Sequence, residues 1–229
     1  MKAQHLVRWF IAAFFLNNPF SIGAASTIQG PRAEMLIEGV PCLSNSLKNT
    51  LKVHECILAR EHAVSGGVLP AGSYVGFMNG IVGECKLSRK AAFFGQLLPA
   101  GSRLFYDQQG KMTQFWPGTD TVIQGYFLKA RDDGAGDRLH PNGRLRAIWL
   151  VEDKEIDGIP CTSSGNIIKM GWDVISLGTK RMAWFYNNGR LQQALLSRDV
   201  TIQGRVFKKG DIISLTPDGK LDLTAKKLE

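Results

Sequence analysis

Three aspartates, Asp120, Asp153 and Asp199, recur at one step of a repeated sequence. Carboxylates in register are what a polysaccharide-cleaving enzyme on a β-repeat scaffold would present along one face. Cleaving a glycosidic bond takes two carboxyl groups in different environments, one giving a proton and the other attacking or activating water. A residue that obeys a repeat shares its surroundings with its copies, so catalytic carboxylates should break the pattern. The step also falls at an expected turn, where a short acidic side chain bonds nearby backbone N–H groups. The turn role is therefore preferred, and no catalytic residue is assigned.

Other chemistry is sparse. His54, His62 and His140 have no ligand at metal spacing, and no nucleotide, zinc-protease or serine-hydrolase motif occurs. The run Asp132-Asp133-Gly134-Ala135-Gly136-Asp137, inside an insertion at 129–140, lacks the alternating oxygen ligands and closing Glu of a calcium loop. It reads as a hairpin loop, so no metal and no cofactor is expected. A second insertion, 162–179, carries Lys169, Trp172 and Asp173, and loops on a rigid scaffold are where binding is sought first. Trp116 and Trp149 share a step opposite in parity to the core. They face either solvent, as an aromatic strip suited to sugar rings or a partner, or a second buried layer. Cys42, Cys56, Cys85 and Cys161 allow three disulfide connectivities. Coiled repeats would bring Cys56 to Cys85, about 4.8 Å apart on neighbouring strands. A flat meander would hold them roughly 9.5 Å apart, beyond bonding reach. Cys42 with Cys161 would need the array to curl closed.

The elements that position these residues repeat about every thirty residues, with units starting at 53, 82, 112, 145, 191 and 221. Three steps into five units stand Cys56, Cys85, Phe115, Ile148 and Ala194; eleven steps in stand Val64, Phe93, Ile123, Ile156 and Ile202. Two steps later comes a glycine, read as a bulge or close backbone approach. Asn79-Gly80, Gln109-Gly110, Asn142-Gly143, Asn188-Gly189 and Asp218-Gly219 close the units with tight hairpin turns. Short β-branched and aromatic runs flank them. Residues 86–92 depart from strand composition and read as a short helix or a distorted edge. The segment 35–42 matches 155–161, ending in Pro-Cys in both. A unit this small cannot bury an apolar face alone, so neighbours must stack.

Residues 1–25 read as a signal peptide: Lys2 and Arg8, a short apolar core, and small residues before Ser26. Residues 26–52 form an N-terminal capping segment and 53–229 the β-repeat domain. No later stretch is apolar enough to span a bilayer as a helix. Without its leader the chain keeps 26 basic against 20 acidic residues. That excess favours acidic partners, but its scatter argues against nucleic acid.

The stretch Leu139-His140-Pro141-Asn142-Gly143-Arg144-Leu145, followed by Ile156-Asp157-Gly158-Ile159-Pro160-Cys161, is similar to the MORN-variant repeats of exported bacterial proteins. Across roughly residues 50–223 the resemblance implies an antiparallel β-repeat array and an envelope location. It carries over no catalytic residue. The longer period here departs from a true MORN unit. The expectation is an all-β array of hairpin repeats, an antiparallel meander or open barrel first and a parallel β-solenoid second. The protein would be periplasmic or secreted. It would act without catalysis as a scaffold or binding module for an envelope protein or glycan, with a polysaccharide-acting enzyme as the alternative.

Overall fold

The computed structural model of the protein describes residues 33–50, 53–131, 136–163 and 182–224. Every pairing among the described strands is antiparallel, which removes the parallel solenoid. The main element is a long meander. Lys48–Thr50, Val53–Ile57, Tyr74–Met78, Ile81–Lys86, Arg103–Tyr106 and Met112–Trp116 lie side by side in chain order. A bridge from Phe115 to Asp137 carries the order on through Arg138–Leu139, Leu145–Ile148, Ala183–Phe185, Leu191–Leu195 and Ile212–Ser214.

One row of side chains crosses ten of these strands on a single face. It runs Cys56, Val75, Cys85, Leu104, Phe115, Asp137, Ile148, Ala183, Ala194, Ile213. None is more than 2% exposed. The residues three steps into each unit are alternate members of this row. Burying each of the larger ones contributes about 2 kcal/mol.

Between its paired strands each unit sends out a small two-stranded hairpin: 34–43, 62–69, 91–98, 121–128, 154–161 and 200–207. The hairpins form a second layer. Phe93, Ile123, Ile156 and Ile202 point inward from it and join the sheet's row in one core, with Val64 packed at its margin. Two hairpins are themselves paired through Gly67 and Phe93.

The turn chemistry differs from expectation. The glycine thirteen steps in is the second residue of the hairpin tip. Gln124-Gly125, Asp157-Gly158 and Gln203-Gly204 have both residues at positive φ, as a two-residue turn matched to strand twist requires. Among the unit-closing turns only Asn79-Gly80 has that form. The other four have a loop one residue longer, with a single glycine at positive φ after a turn such as that closed by the Gly143 N–H bond to the His140 carbonyl. Sequence composition does not separate these cases, because glycine serves both. Residues 86–92 hold no helix: Lys86 ends one strand, a turn follows, and Ala91–Phe93 begins a hairpin. The 35–42 segment is itself one of the hairpins, with Met35 opposite Cys42 as Lys154 lies opposite Cys161.

Candidate functional site

The recurring aspartates close the hairpins at their base. Oδ1 of Asp120, Asp153 and Asp199 accepts a backbone N–H from Ala130, Ser163 and Lys209, at 2.8, 2.7 and 2.9 Å. In each case the donor lies ten residues on, where the chain returns from the hairpin. Asp199 also pairs with Lys208 at 2.8 Å, and hydrogen bonds from Lys208 and Lys209 hold its carboxyl below the usual range. The two earlier units place Glu61 and Lys90 at this step and fasten differently. Ser73 and Ser102 are fully buried, and their hydroxyls accept N–H groups from Ser88 and Gly118 of the following unit, both at 3.1 Å.

Hairpin tips are tied to the next unit as well. Gln124 accepts from Leu145 N–H and donates to Gly143 carbonyl oxygen; Gln203 does the same with Leu221 and Gly219. Asp157 accepts from Leu191 N–H at 2.8 Å. Ser65 stands at the equivalent tip of the 62–69 hairpin. Beside it lies a cleft of about 240 Å³ lined by Glu38, His62, Phe77, Val82 and Tyr106. Burial pushes the Tyr106 hydroxyl well up, and it meets no hydrogen-bond partner among the described residues.

The cysteines correct the sequence-based pairings. Cys42 bonds Cys56, joining a hairpin to the sheet beneath it, while Cys85 and Cys161 are free and buried. Cys56 and Cys85 are two strands apart with Val75 between them, the meander geometry that forbids their bond. Burial pushes the Cys161 thiol up to about 12 and moves Cys85 in the same direction. Neither is a poised nucleophile.

The sheet's other face carries the tryptophans. Trp116 and Trp149 occupy one row of it, both partly buried, with Gly136 between their strands. A side chain at Gly136 would collide with the Trp116 indole, 2.8 Å from the position of a Cβ. Each described indole on this face, Trp116, Trp149 and Trp184, is covered by a guanidinium. Arg103 lies 4.8 Å from the Trp116 ring centre, Arg131 5.1 Å from Trp149, and Arg138 5.0 Å from Trp184. Trp184, Ala147 and Met182 form a small second core against which Trp149 packs. The aromatic strip and the second buried layer thus meet on one face. Lys169, Trp172 and Asp173 lie outside the described residues.

Sequence reasoning missed two things here. Asp137, read as a loop residue, sits in the core row, 2% exposed, its Oδ1 taking the Trp149 N–H at 3.0 Å. Desolvation pushes its carboxyl up to about 6. The arginines were missed too, because their scatter along the chain hides that strand pairing gathers them. Among the described residues no group of three or more His, Cys, Asp or Glu is placed to hold a metal. No protein-family model matches the chain, and no curated protein or solved structure matches it either.

Proposed function

We propose that this chain is a non-catalytic, exported β-repeat protein of a bacterial envelope, acting as a scaffold or binding module. The observation that carries this reading is the use of Asp120, Asp153 and Asp199. Each spends an oxygen on its own hairpin's backbone, so the carboxylates that line up in sequence serve the architecture. The Cys42–Cys56 bond supports export, because disulfides persist in oxidising compartments. The leader-like residues before Ser26 and the resemblance to MORN-variant repeats support it independently. No described helix is long and apolar enough to cross a membrane.

Expression with the leader in a bacterium, followed by fractionation, tests the location. A chain cut before Ser26, oxidised at Cys42 and Cys56 and recovered outside the cytoplasm is expected; an uncut cytoplasmic chain with four thiols defeats the proposal. The enzyme alternative is tested by release of reducing ends from polysaccharides. Turnover that disappears in Asp153→Asn while the fold survives would favour it.

A further inference from the structure

The face of the meander turned away from the hairpins holds an uneven distribution of charge. Lys86 and Arg103 are direct cross-strand partners. Arg138 pairs with Ala147, next to Arg146; burial first, and then the Arg146 charge, lower the proton affinity of Arg138. Like charges set side by side on a sheet are destabilising, so each pair is a place where a bound anion would relieve repulsion. Glu84 answers Arg103 with an ion pair. Among the described ion pairs none reaches Lys86, Arg138 or Arg146.

The two pairs lie on either side of Trp116, and the strands between Lys86 and Arg146 span roughly 19 Å at the usual inter-strand spacing. Arg103 and Arg138 sit over indoles, their guanidinium carbons 4.8 and 5.0 Å from the ring centres of Trp116 and Trp184. Arg103 gives its Nε and Nη2 to Glu84, so it meets an anion through Nη1 beside the Lys86 ammonium, while no described ion pair occupies Arg138. At one end of the row a cleft of about 360 Å³ is lined by Lys86, Arg103, Pro117, Gly118 and Arg131, concave enough to seat one residue of a polymer.

We propose that this face binds an acidic polysaccharide, whose carboxylates meet the Lys86–Arg103 and Arg138–Arg146 pairs while a sugar residue occupies the cleft beside Pro117. The proposal rests on the binding-module reading and names its ligand class. An anionic membrane fits less well. Surface attachment needs apolar side chains beside the cations; Leu97, Val122, Phe127 and Val206 are exposed on the outer side of the hairpins instead, and exposed Met78 stands at the opposite end of its strand from Tyr74, the partner of Lys86. A single-stranded nucleic acid would need open aromatic faces for its bases, and here guanidinium groups cover them.

The test uses the oxidised chain with polygalacturonate, a linear uronic-acid polymer, against neutral dextran and phosphatidylglycerol vesicles. Expected is saturable binding to polygalacturonate alone, weakening as salt is added. Lys86→Gln with Arg103→Gln, and separately Arg138→Gln with Arg146→Gln, should each weaken it about tenfold or more, as loss of charge-assisted hydrogen bonds does. Lys208→Gln with Lys209→Gln removes the same charge from the hairpin side and should leave affinity unchanged. Arg103→Lys and Arg138→Lys keep the charge, so they should fold and retain most of the binding even if a glutamine variant does not fold. Equal losses in all three double variants, equal binding to vesicles, or no binding to polygalacturonate would overturn the proposal. Those results leave the binding-module reading standing, whereas cleavage of the polymer would defeat that reading and spare the site.

Discussion

The hairpins 34–43 and 154–161, first and fifth of the six described, are the same object in two units. Cys42 bridges to Leu58 and Cys161 to Leu196. The N–H of Ala59 bonds Pro41 carbonyl oxygen at 2.8 Å, and the N–H of Ser197 bonds Pro160 carbonyl oxygen at the same distance. Two residues before each bridge partner stand Cys56, which bonds Cys42, and Ala194 at the equivalent position of the later unit. One unit is covalently stapled and the other is not, for want of a single sulfur. The difference teaches that the repeat specifies a backbone frame, and that the chemistry carried on it is chosen residue by residue.

Ala194→Cys tests that statement most severely. If the frames are equivalent, the new thiol meets Cys161 across the geometry that gives Cys42 and Cys56 a Cα separation of 5.8 Å. The loop closed from 161 to 194 is longer than that from 42 to 56, so the chain-entropy gain is larger, about 3.7 kcal/mol against about 3. Oxidised variant protein should show Cys85 as its one free thiol and unfold at higher urea. Three titratable thiols would break the equivalence. The reverse experiment removes the existing staple. Reduction, or Cys42→Ala with Cys56→Ala, should lower the unfolding free energy by about 3 kcal/mol. Added to the Cys42→Ala, Cys56→Ala protein, Ala194→Cys should recover most of that loss when oxidised.

The matching of 35–42 with 155–161 was legible in the sequence, and so was the apolar row, because steps three and eleven follow directly from alternation on strands. What pairs with what was not legible. The partner of Cys42 lies in the next strand of the sheet beneath, and a one-dimensional repeat does not say which layer covers which. The turns misled for a related reason. Glycine marks both the hairpin tips and the unit-closing turns, and whether the residue before it also takes a positive φ, as at Gln124 and Asn79 but not at Asn142, is not written in composition. Asp137 was hidden most completely, since an acidic glycine-rich run has the composition of a loop whichever of its residues re-enters the sheet.

Asp137 also sharpens the comparison, because it interrupts the buried row midway between the two units. Its folded-state value of about 6 lies above the ordinary 3.8. The native chain therefore holds the proton more tightly than the unfolded one, and stability falls as pH rises from about 4 to about 6, then levels. The loss is about 3 kcal/mol at neutral pH. Asp137→Asn keeps an oxygen for the Trp149 N–H and does not ionise. It should flatten the profile between pH 4 and 6 and raise the unfolding free energy at pH 7, read from a urea titration, by up to that amount. A wild-type profile already flat over this range would show that the carboxylate is solvated.

The smallest effects separate units that fasten their hairpins with aspartate from those that use a buried serine. Asp153→Ala removes a carboxylate bond to the Ser163 N–H and should cost about 1 kcal/mol in a urea titration. Glu61 occupies the same step in an earlier unit but only pairs with Arg89, both side chains more than half exposed. Glu61→Ala should therefore change stability by less than about 0.5 kcal/mol. In that unit the work passes to Ser73, whose hydroxyl reaches the Ser88 N–H from a fully buried position, so Ser73→Ala should resemble Asp153→Ala rather than Glu61→Ala. Equal costs for Glu61→Ala and Asp153→Ala would mean that the step itself, and not the bond made from it, holds the hairpin to the sheet.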